Sequence, residues 1–240
     1  MIDFLLKHYS LLTYSVELLA ALTGVFVFKK YRSVSVRYFI YFLILVFICD
    51  SLNSYTSFVK PNLALEFLIG TKFEKNFWWS NIYWSIGAIM FFSFYYRLVL
   101  KNHKYKSYIK ILSYSYLIFS IAYIILNWTA FFISNFIVLE LLGAFIILVC
   151  VALYFVEILN SDRILNFYKS ISFYISATIF VWWLIITPIT FYDVYFVYEV
   201  GIGHFDKDFL VLRNFVYLSA NIFMYLTYTF AFIWCKPVNE

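Results

Sequence analysis

Charged residues are scarce in this sequence: Asp, Glu, Lys and Arg together make up 13% of its 240 residues. A water-soluble domain carries about twice that share and is about half apolar. Here 65% of the residues are hydrophobic and the mean hydropathy is +0.85, so the polar surface that a soluble fold needs is missing. The sequence therefore predicts an integral membrane protein with no room for a soluble catalytic domain.

Histidine and cysteine are also rare, with three of each. The histidines lie in predicted loops or at a span edge: His8, His103 and His204. This placement excludes haem ligation across a bundle and a three-histidine zinc site. The cysteines lie in or beside apolar segments and predict packing residues rather than disulfides: Cys49, Cys150 and Cys235. Because no HExxH, GxSxG or Walker sequence occurs either, the predicted protein is not an enzyme and has no metal or cofactor.

Long apolar runs dominate what remains. Seven of them can cross about 30 Å of hydrocarbon, which takes about 20 helical residues at 1.5 Å each. They lie near residues 8–28, 38–58, 77–99, 108–127, 132–157, 169–193 and 210–234. None shows the two-residue alternation of short membrane strands. We therefore predict an all-α integral membrane fold, a seven-transmembrane-helix bundle that forms one domain over residues 1–240.

Lysine and arginine are unevenly distributed over the predicted loops. One side of the membrane receives 12 of them and the other side 6. Since cytoplasmic loops carry the excess of basic residues, we predict an external N-terminus and a cytoplasmic C-terminus. The predicted location is a bacterial inner (plasma) membrane, which the chain would cross as a multi-pass protein.

Three carboxylic acids lie well inside predicted spans: Glu17, Asp50 and Glu140. Acids in spans are costly and usually face the bundle interior or a wet cavity. Each lies roughly 12–14 Å below the predicted outer face, at 1.5 Å per residue. No basic residue is predicted at that depth, because Arg213 lies at the outer edge of its span. Such acids indicate a cationic or amine-bearing ligand or a proton-linked switch, whereas three protonated acids that serve packing are the alternative.

Polar and aromatic residues of other spans fall in the same outer half. Asn81, Thr187 and Asn221 do so, and Asn53 lies one helical turn from Asp50. Aromatic side chains could wall the space between them: Trp84, Trp182, Trp183, Tyr217 and Tyr225. We therefore predict one outward-facing acidic and aromatic pocket, with the three acids as ligand or proton sites and two asparagines, Asn81 and Asn221, as orienting groups.

Helix faces are indicated by small and polar residues at offsets of three and four. The first span carries such a stripe in Thr13, Glu17, Ala20 and Gly24. The last span carries another: Asn214, Tyr217, Asn221, Tyr225 and Tyr228. Ordinary helix packing explains these stripes as well as a binding site does.

Proline and glycine are rare, with three and six residues, so the chain has little means of breaking helices as transporters often do. Pro188 alone among the prolines lies inside a predicted span, where it removes a backbone hydrogen bond and bends the helix near Leu184. The bend could act as a hinge between the pocket and the cytoplasmic end, or it could be static.

These features favour a sensor or receptor that binds a small ligand from outside and signals through a separate partner, because the cytoplasmic loops are too small for an output domain. A small proton- or cation-coupled transporter, a structural subunit of a membrane complex and a lipid-modifying enzyme are the alternatives. Retinal is excluded, because the last span lacks a central lysine.

A basic run near the third and fourth spans is the predicted partner surface. Arg97, Lys101, Lys104 and Lys106 could contact a cytoplasmic or membrane protein partner or anionic lipid. Membrane topology alone also explains basic residues at this position. The bilayer itself is the other predicted partner, and no feature indicates nucleic acid.

Overall fold

The computed structural model describes residues 7–199 and 207–235, and the regular secondary structure in these ranges is helical, without a strand. Within them, seven helices are long and apolar enough to cross a membrane. They are α1 (Tyr9–Val27), α2 (Val34–Asn53), α3 (Phe77–Val99), α4 (His103–Leu126), α5 (Ile137–Leu159), α6 (Ile171–Glu199) and α7 (Lys207–Trp234). The predicted all-α architecture with seven long apolar helices is confirmed for this part of the chain, and it indicates a multi-pass membrane protein.

Two helices begin about five residues away from their predicted positions. α4 begins earlier, because the side-chain oxygen of Asn102 accepts a hydrogen bond from the Lys104 N–H at 2.9 Å and caps the helix before its basic first turn. α5 begins later, because Ala130–Phe132 forms a short 3₁₀ turn and the Phe136 N–H is bound by the Asn81 side chain. Hydrogen bonds therefore determine where these two helices begin, whereas hydropathy predicts only where the apolar centre of each helix lies.

Six helices form a closed ring in which each packs against the next: α1, α2, α3, α5, α6, α7 and again α1. α4 packs on the outside of the α3–α5 pair. The predicted stripe on α1 is buried against its neighbours, as expected for small and polar residues between membrane helices. On α7 the stripe is interrupted, because Asn214 is exposed whereas Tyr225 and Tyr228 are buried.

The middle of α3 is wound as a π-helix over Asn81–Ala88, with α-helical turns on either side. π-helical segments are rare and frequently occur at functional sites. Two successive residues of this segment face different neighbours. Tyr83 is hydrogen-bonded to Asp50 of α2, and the Trp84 ring contacts Trp182 of α6. The segment therefore contributes to both polar regions of the bundle.

The connection between α1 and α2 is tied to the end of α7. Tyr31 is 2% exposed, and its hydroxyl donates to the backbone oxygens of Phe232 at 3.2 Å and Cys235 at 2.9 Å. The Lys30 ammonium donates to the same Cys235 oxygen at 2.8 Å. These donors satisfy carbonyl groups that a helix leaves unpaired at its C-terminus, so this end of the bundle is held together by polar contacts.

Candidate functional site

A cavity of about 440 Å³, here called the tryptophan cavity, lies between α3, α5, α6 and α7. It is at the end of the bundle where α5 and α7 begin, which is the end predicted to face outside. Aromatic and charged side chains are both present in its lining: Trp84, Trp182, Trp183, Tyr217, Glu140, Asp193 and Arg213. This size and this combination of a mostly apolar wall with a few polar groups are typical of small-molecule sites, which measure about 300–1,000 Å³.

An ion pair joins α6 and α7 beside the tryptophan cavity. The Nε atom of Arg213 lies 2.8 Å from both carboxylate oxygens of Asp193. The arginine also lies over the ring of Tyr217, 4.9 Å from its centroid, and the Tyr217 hydroxyl is 3.2 Å from the hydroxyl of Thr190. The two opposite charges therefore neutralise each other within a packed polar group.

Glu140 brings a second carboxyl group to the tryptophan cavity. It lies in the first turn of α5 and is half-buried. Its electrostatic neighbours are Arg213 and Asp193, and the hydroxyl of Ser85 lies beside it. Since Arg213 is bound to Asp193, the described lining residues contain one more carboxyl group than cationic groups.

Two adjacent tryptophans are held in different ways. The Trp182 indole N–H donates to the side-chain oxygen of Asn221 at 2.8 Å, and its ring makes edge contacts with Trp84 and Trp183, with centroid distances of 5.5 and 5.0 Å. Trp183 is 4% exposed, and its indole N–H has no hydrogen-bond partner among the described residues. Asn221 therefore positions Trp182, whereas the Trp183 donor has no partner in the described part of the chain.

Glu17 and Asp50 form a separate cluster where α1, α2 and α3 meet. Their carboxyl groups lie within hydrogen-bonding reach of each other. The Tyr83 hydroxyl donates to the Asp50 carboxylate, and Tyr225 of α7 lies beside Glu17. The three acids therefore do not share the single pocket that the sequence predicts, because Glu140 lies on a different side of the ring. Tyr225, predicted to wall that pocket, belongs to the Glu17 cluster.

Asn81 joins α3 to the segment that precedes α5. It is fully buried, its amide N–H donates to the Ser134 backbone oxygen at 3.0 Å, and its side-chain oxygen accepts from the Phe136 N–H at 3.0 Å. These bonds place the start of α5, and with it Glu140, against α3. Asn81 is not among the described lining residues, but its hydrogen bonds hold in place the segment that carries lining residues of the tryptophan cavity.

Asn53, Thr187 and Pro188 take part in local structure rather than in the described lining of the cavity. Asn53 ends α2, where its backbone oxygen accepts from the Asn76 side chain at 3.0 Å. The Thr187 hydroxyl donates to the Trp183 backbone oxygen one turn earlier, at 2.6 Å. Pro188 is exposed on α6, which continues beyond it as one helix. Its role as a hinge stays a prediction.

Sequence reasoning missed the pairing of Asp193 with Arg213. Both residues lie at the edges of predicted spans, so they were placed outside the polar layer, and the prediction that no cation reaches the acids was wrong for Glu140. An available signal was that adjacent antiparallel spans carry opposite charges at the same end. Residues in such positions lie at the same level of the bundle, and they meet when the two helices turn those faces towards each other.

A second cavity, of about 290 Å³, lies at the opposite end of the bundle between the end of α3 and the start of α4. Basic residues line it: Arg97, His103, Lys106 and Lys110. The two other lysines of the predicted partner surface, Lys101 and Lys104, donate hydrogen bonds through their backbone N–H groups. The N–H of Lys101 is bound by a Glu157 carboxylate oxygen at 2.8 Å, and that of Lys104 is bound by Asn102.

The described residues contain no group of three or more His, Cys, Asp or Glu side chains that could hold a metal ion. Comparison of the chain with known protein families, with curated proteins and with solved structures finds no match. The tryptophan cavity and its chemistry are therefore the basis for a functional proposal.

Proposed function

We propose that this protein is a membrane sensor or receptor that binds a small organic ligand in the tryptophan cavity. The observation that carries the proposal is the cavity itself, about 440 Å³ in volume, with three tryptophans and the charged residues Glu140, Asp193 and Arg213 in its lining. Concave sites with mostly apolar walls and a few polar groups are the usual form of small-molecule sites. The excess of basic residues near the opposite end supports an outward-facing cavity.

Signalling would pass to a separate partner at the basic end of the bundle. The described chain consists of the seven helices and the connections between them, so the proposal assigns the output activity to another subunit. Arg97 and Lys106 line one cavity there, and an acidic surface would complement them. Reversing both charges, Arg97→Glu with Lys106→Glu, should abolish partner binding and leave ligand binding intact.

Ligand binding is tested with the purified protein in detergent and a mixed library of small amines, carboxylates, sugars and neutral molecules. Binding should raise the unfolding temperature, because a ligand at about 100 times its Kd stabilises the folded state by about 2.7 kcal/mol. Ile137→Trp should remove these shifts, since Ile137 lines the cavity and is half-buried. Ile118→Trp is the control, because Ile118 is 70% exposed on α4. The absence of any shift in the wild type, or shifts that survive Ile137→Trp, would contradict the proposal.

A proton- or cation-coupled transporter is the second candidate, and the Glu17 and Asp50 pair favours it. Two carboxyl groups in contact inside a bundle repel each other unless a proton or cation lies between them. A transporter should move protons across proteoliposomes that enclose a pH-sensitive dye, and Glu17→Gln should stop this movement. A sensor should show no flux with either protein.

A further inference from the structure

We infer that the cavity of about 290 Å³ between α3 and α4, here called the basic cavity, binds the phosphate group of an anionic phospholipid. The inference goes beyond the proposed function, which gives this end of the bundle an acidic protein partner. A lipid phosphate bound by Arg97 and Lys106 would have to leave before an acidic protein surface could contact them. The lipid should therefore compete with the partner, and its binding does not depend on the tryptophan cavity.

Two helix faces bring the basic residues of this cavity together. On each helix the lining residues recur at offsets of three and four positions, so they share one face. They are Phe94, Arg97 and Leu98 on α3, and His103, Lys106, Ser107 and Lys110 on α4. The distribution of charge across a membrane is satisfied by basic residues anywhere in this connection. Their convergence on one groove is therefore a property of the fold rather than of membrane topology.

The positive charges of the basic cavity are not compensated by protein acids. Its described lining contains no acidic residue, and none of its basic side chains forms an ion pair within the described part of the chain. Glu157 contacts the neighbouring connection, but its carboxylate oxygens accept from the backbone N–H groups of Lys101 and Asn102 at 2.8 and 2.9 Å, and it is outside the lining. Lys30 and Arg37, at the same end of the bundle, each donate to a backbone oxygen instead. An anion in the basic cavity would thus relieve the repulsion between like charges.

The start of α4 adds to the positive potential. A helix N-terminus carries a partial positive charge and is stabilised by anions rather than by cations. The first turn of α4 nevertheless contains His103, Lys104 and Lys106 and no acidic residue. A phosphate group in the basic cavity would compensate the helix terminus and the basic side chains of both helices together.

Apolar residues in the same lining favour a phospholipid over a free phosphate. Phe94 and Leu98 are each 37% exposed, and they line the cavity beside the basic residues. Ile111, one turn after Ser107 on α4, is 61% exposed. A free phosphate would leave this apolar surface uncovered, whereas an acyl chain would cover it. Basic pockets between membrane helices that bind anionic headgroups follow the same principle.

Native mass spectrometry of the detergent-purified full chain tests the inference. The probes are phosphatidylglycerol and phosphatidylcholine with identical acyl chains, and glycerol 3-phosphate, which has the phosphate without the chains. Phosphatidylglycerol should bind at least about tenfold more tightly than phosphatidylcholine, because only the former has a net negative headgroup. Glycerol 3-phosphate should not bind at concentrations at which phosphatidylglycerol saturates the site.

Matched double variants assign the contact. Arg97→Gln with Lys106→Gln should abolish the preference for phosphatidylglycerol. Lys29→Gln with Arg32→Gln is the control and should keep the preference, because it removes two positive charges from exposed positions at the same end of the bundle but outside the cavity. Unchanged unfolding temperatures in detergent alone confirm that both variants fold. Lys110→Gln changes a single exposed lining residue, so it provides the test if the first double variant unfolds, and it should weaken phosphatidylglycerol binding by about fivefold.

The outcomes separate a lipid site from its alternatives. Equal binding of the two phospholipids, or a preference that the loss of Arg97 and Lys106 leaves intact, overturns the inference. A preference that the control variant also loses overturns it too, since the effect would then come from the general charge of this end. Tight binding of glycerol 3-phosphate through the same two residues would identify a free-phosphate site and overturn the lipid assignment. None of these results changes ligand binding in the tryptophan cavity, so the proposed function stands or fails separately.

Discussion

At the scale of single residues, Asn81 shows how one buried side chain supports the cavity. Its amide group makes two hydrogen bonds to the backbone that precedes α5. Asn81→Ala leaves buried N–H and C=O groups without partners, which costs about 1–3 kcal/mol for each group. We therefore expect a clear fall in the free energy of unfolding, measured by SDS or thermal denaturation. Asn135→Ala, an exposed amide of the same segment, is the control, and an equal loss in both variants would contradict this role.

The Cys235 thiol should make stability depend on pH in the alkaline range. Burial raises the pKa of this thiol from 9.0 to about 11, although the nearby Lys30 ammonium lowers it. The thiol is therefore deprotonated in the unfolded chain at a lower pH than in the folded protein, so stability is lost as pH rises from about 9 towards 11.

The expected result is an unfolding temperature that decreases between pH 8 and pH 10.5, with a smaller decrease in Cys235→Ser, whose hydroxyl does not titrate in this range. Tyr31 contributes in the same direction, since burial raises its pKa as well, so some decrease should remain. Identical pH profiles for the two proteins would show that Cys235 does not contribute.

At the scale of helices, the contact between α3 and α5 depends on a glycine. A Cβ atom at Gly143 would lie 2.7 Å from Cγ1 and 2.8 Å from Cδ1 of Ile89, and Ile89 is 1% exposed. Gly143→Ala should therefore force the helices apart, at a cost of about 1–3 kcal/mol. Thermal denaturation of the purified variant measures this.

A double-mutant cycle identifies the cause. Ile89→Ala removes both atoms that an alanine at position 143 would meet, so the combined variant should be more stable than the sum of the two single changes predicts. Additive losses would show that Gly143→Ala acts through another contact, such as the Tyr116 hydroxyl 3.4 Å away.

The helices themselves were largely predictable, because a run of about 20 apolar residues is a local property of the sequence. The buried face of α1 was predictable for the same reason, because its small and polar residues recur every three or four positions. The start of α4 after Asn102 required knowledge of the capping hydrogen bond. The start of α5 was not predictable, since it depends on Asn81, which is 55 residues away from Phe136 in the chain.

At the scale of the whole molecule, the predicted orientation can be measured directly. The native cysteines are buried, so introduced cysteines can be labelled selectively. Lys60→Cys and Lys104→Cys change exposed lysines at opposite ends of the bundle. In intact cells a membrane-impermeant maleimide should label position 60 and not position 104. The reverse pattern would place the tryptophan cavity on the cytoplasmic side.

The sequence by itself determined the class of the protein, the number of long apolar helices in the described part of the chain and the presence of acids inside spans. Each of these follows from composition or from residues within a single helix. Only the tertiary structure decided which acids meet, since this depends on the order and rotation of helices around the ring. That order brings Glu17 to Asp50 and leaves Glu140 with Asp193 and Arg213. Contacts between helices far apart in sequence leave no periodic signal in either helix, and the candidate site is made of such contacts.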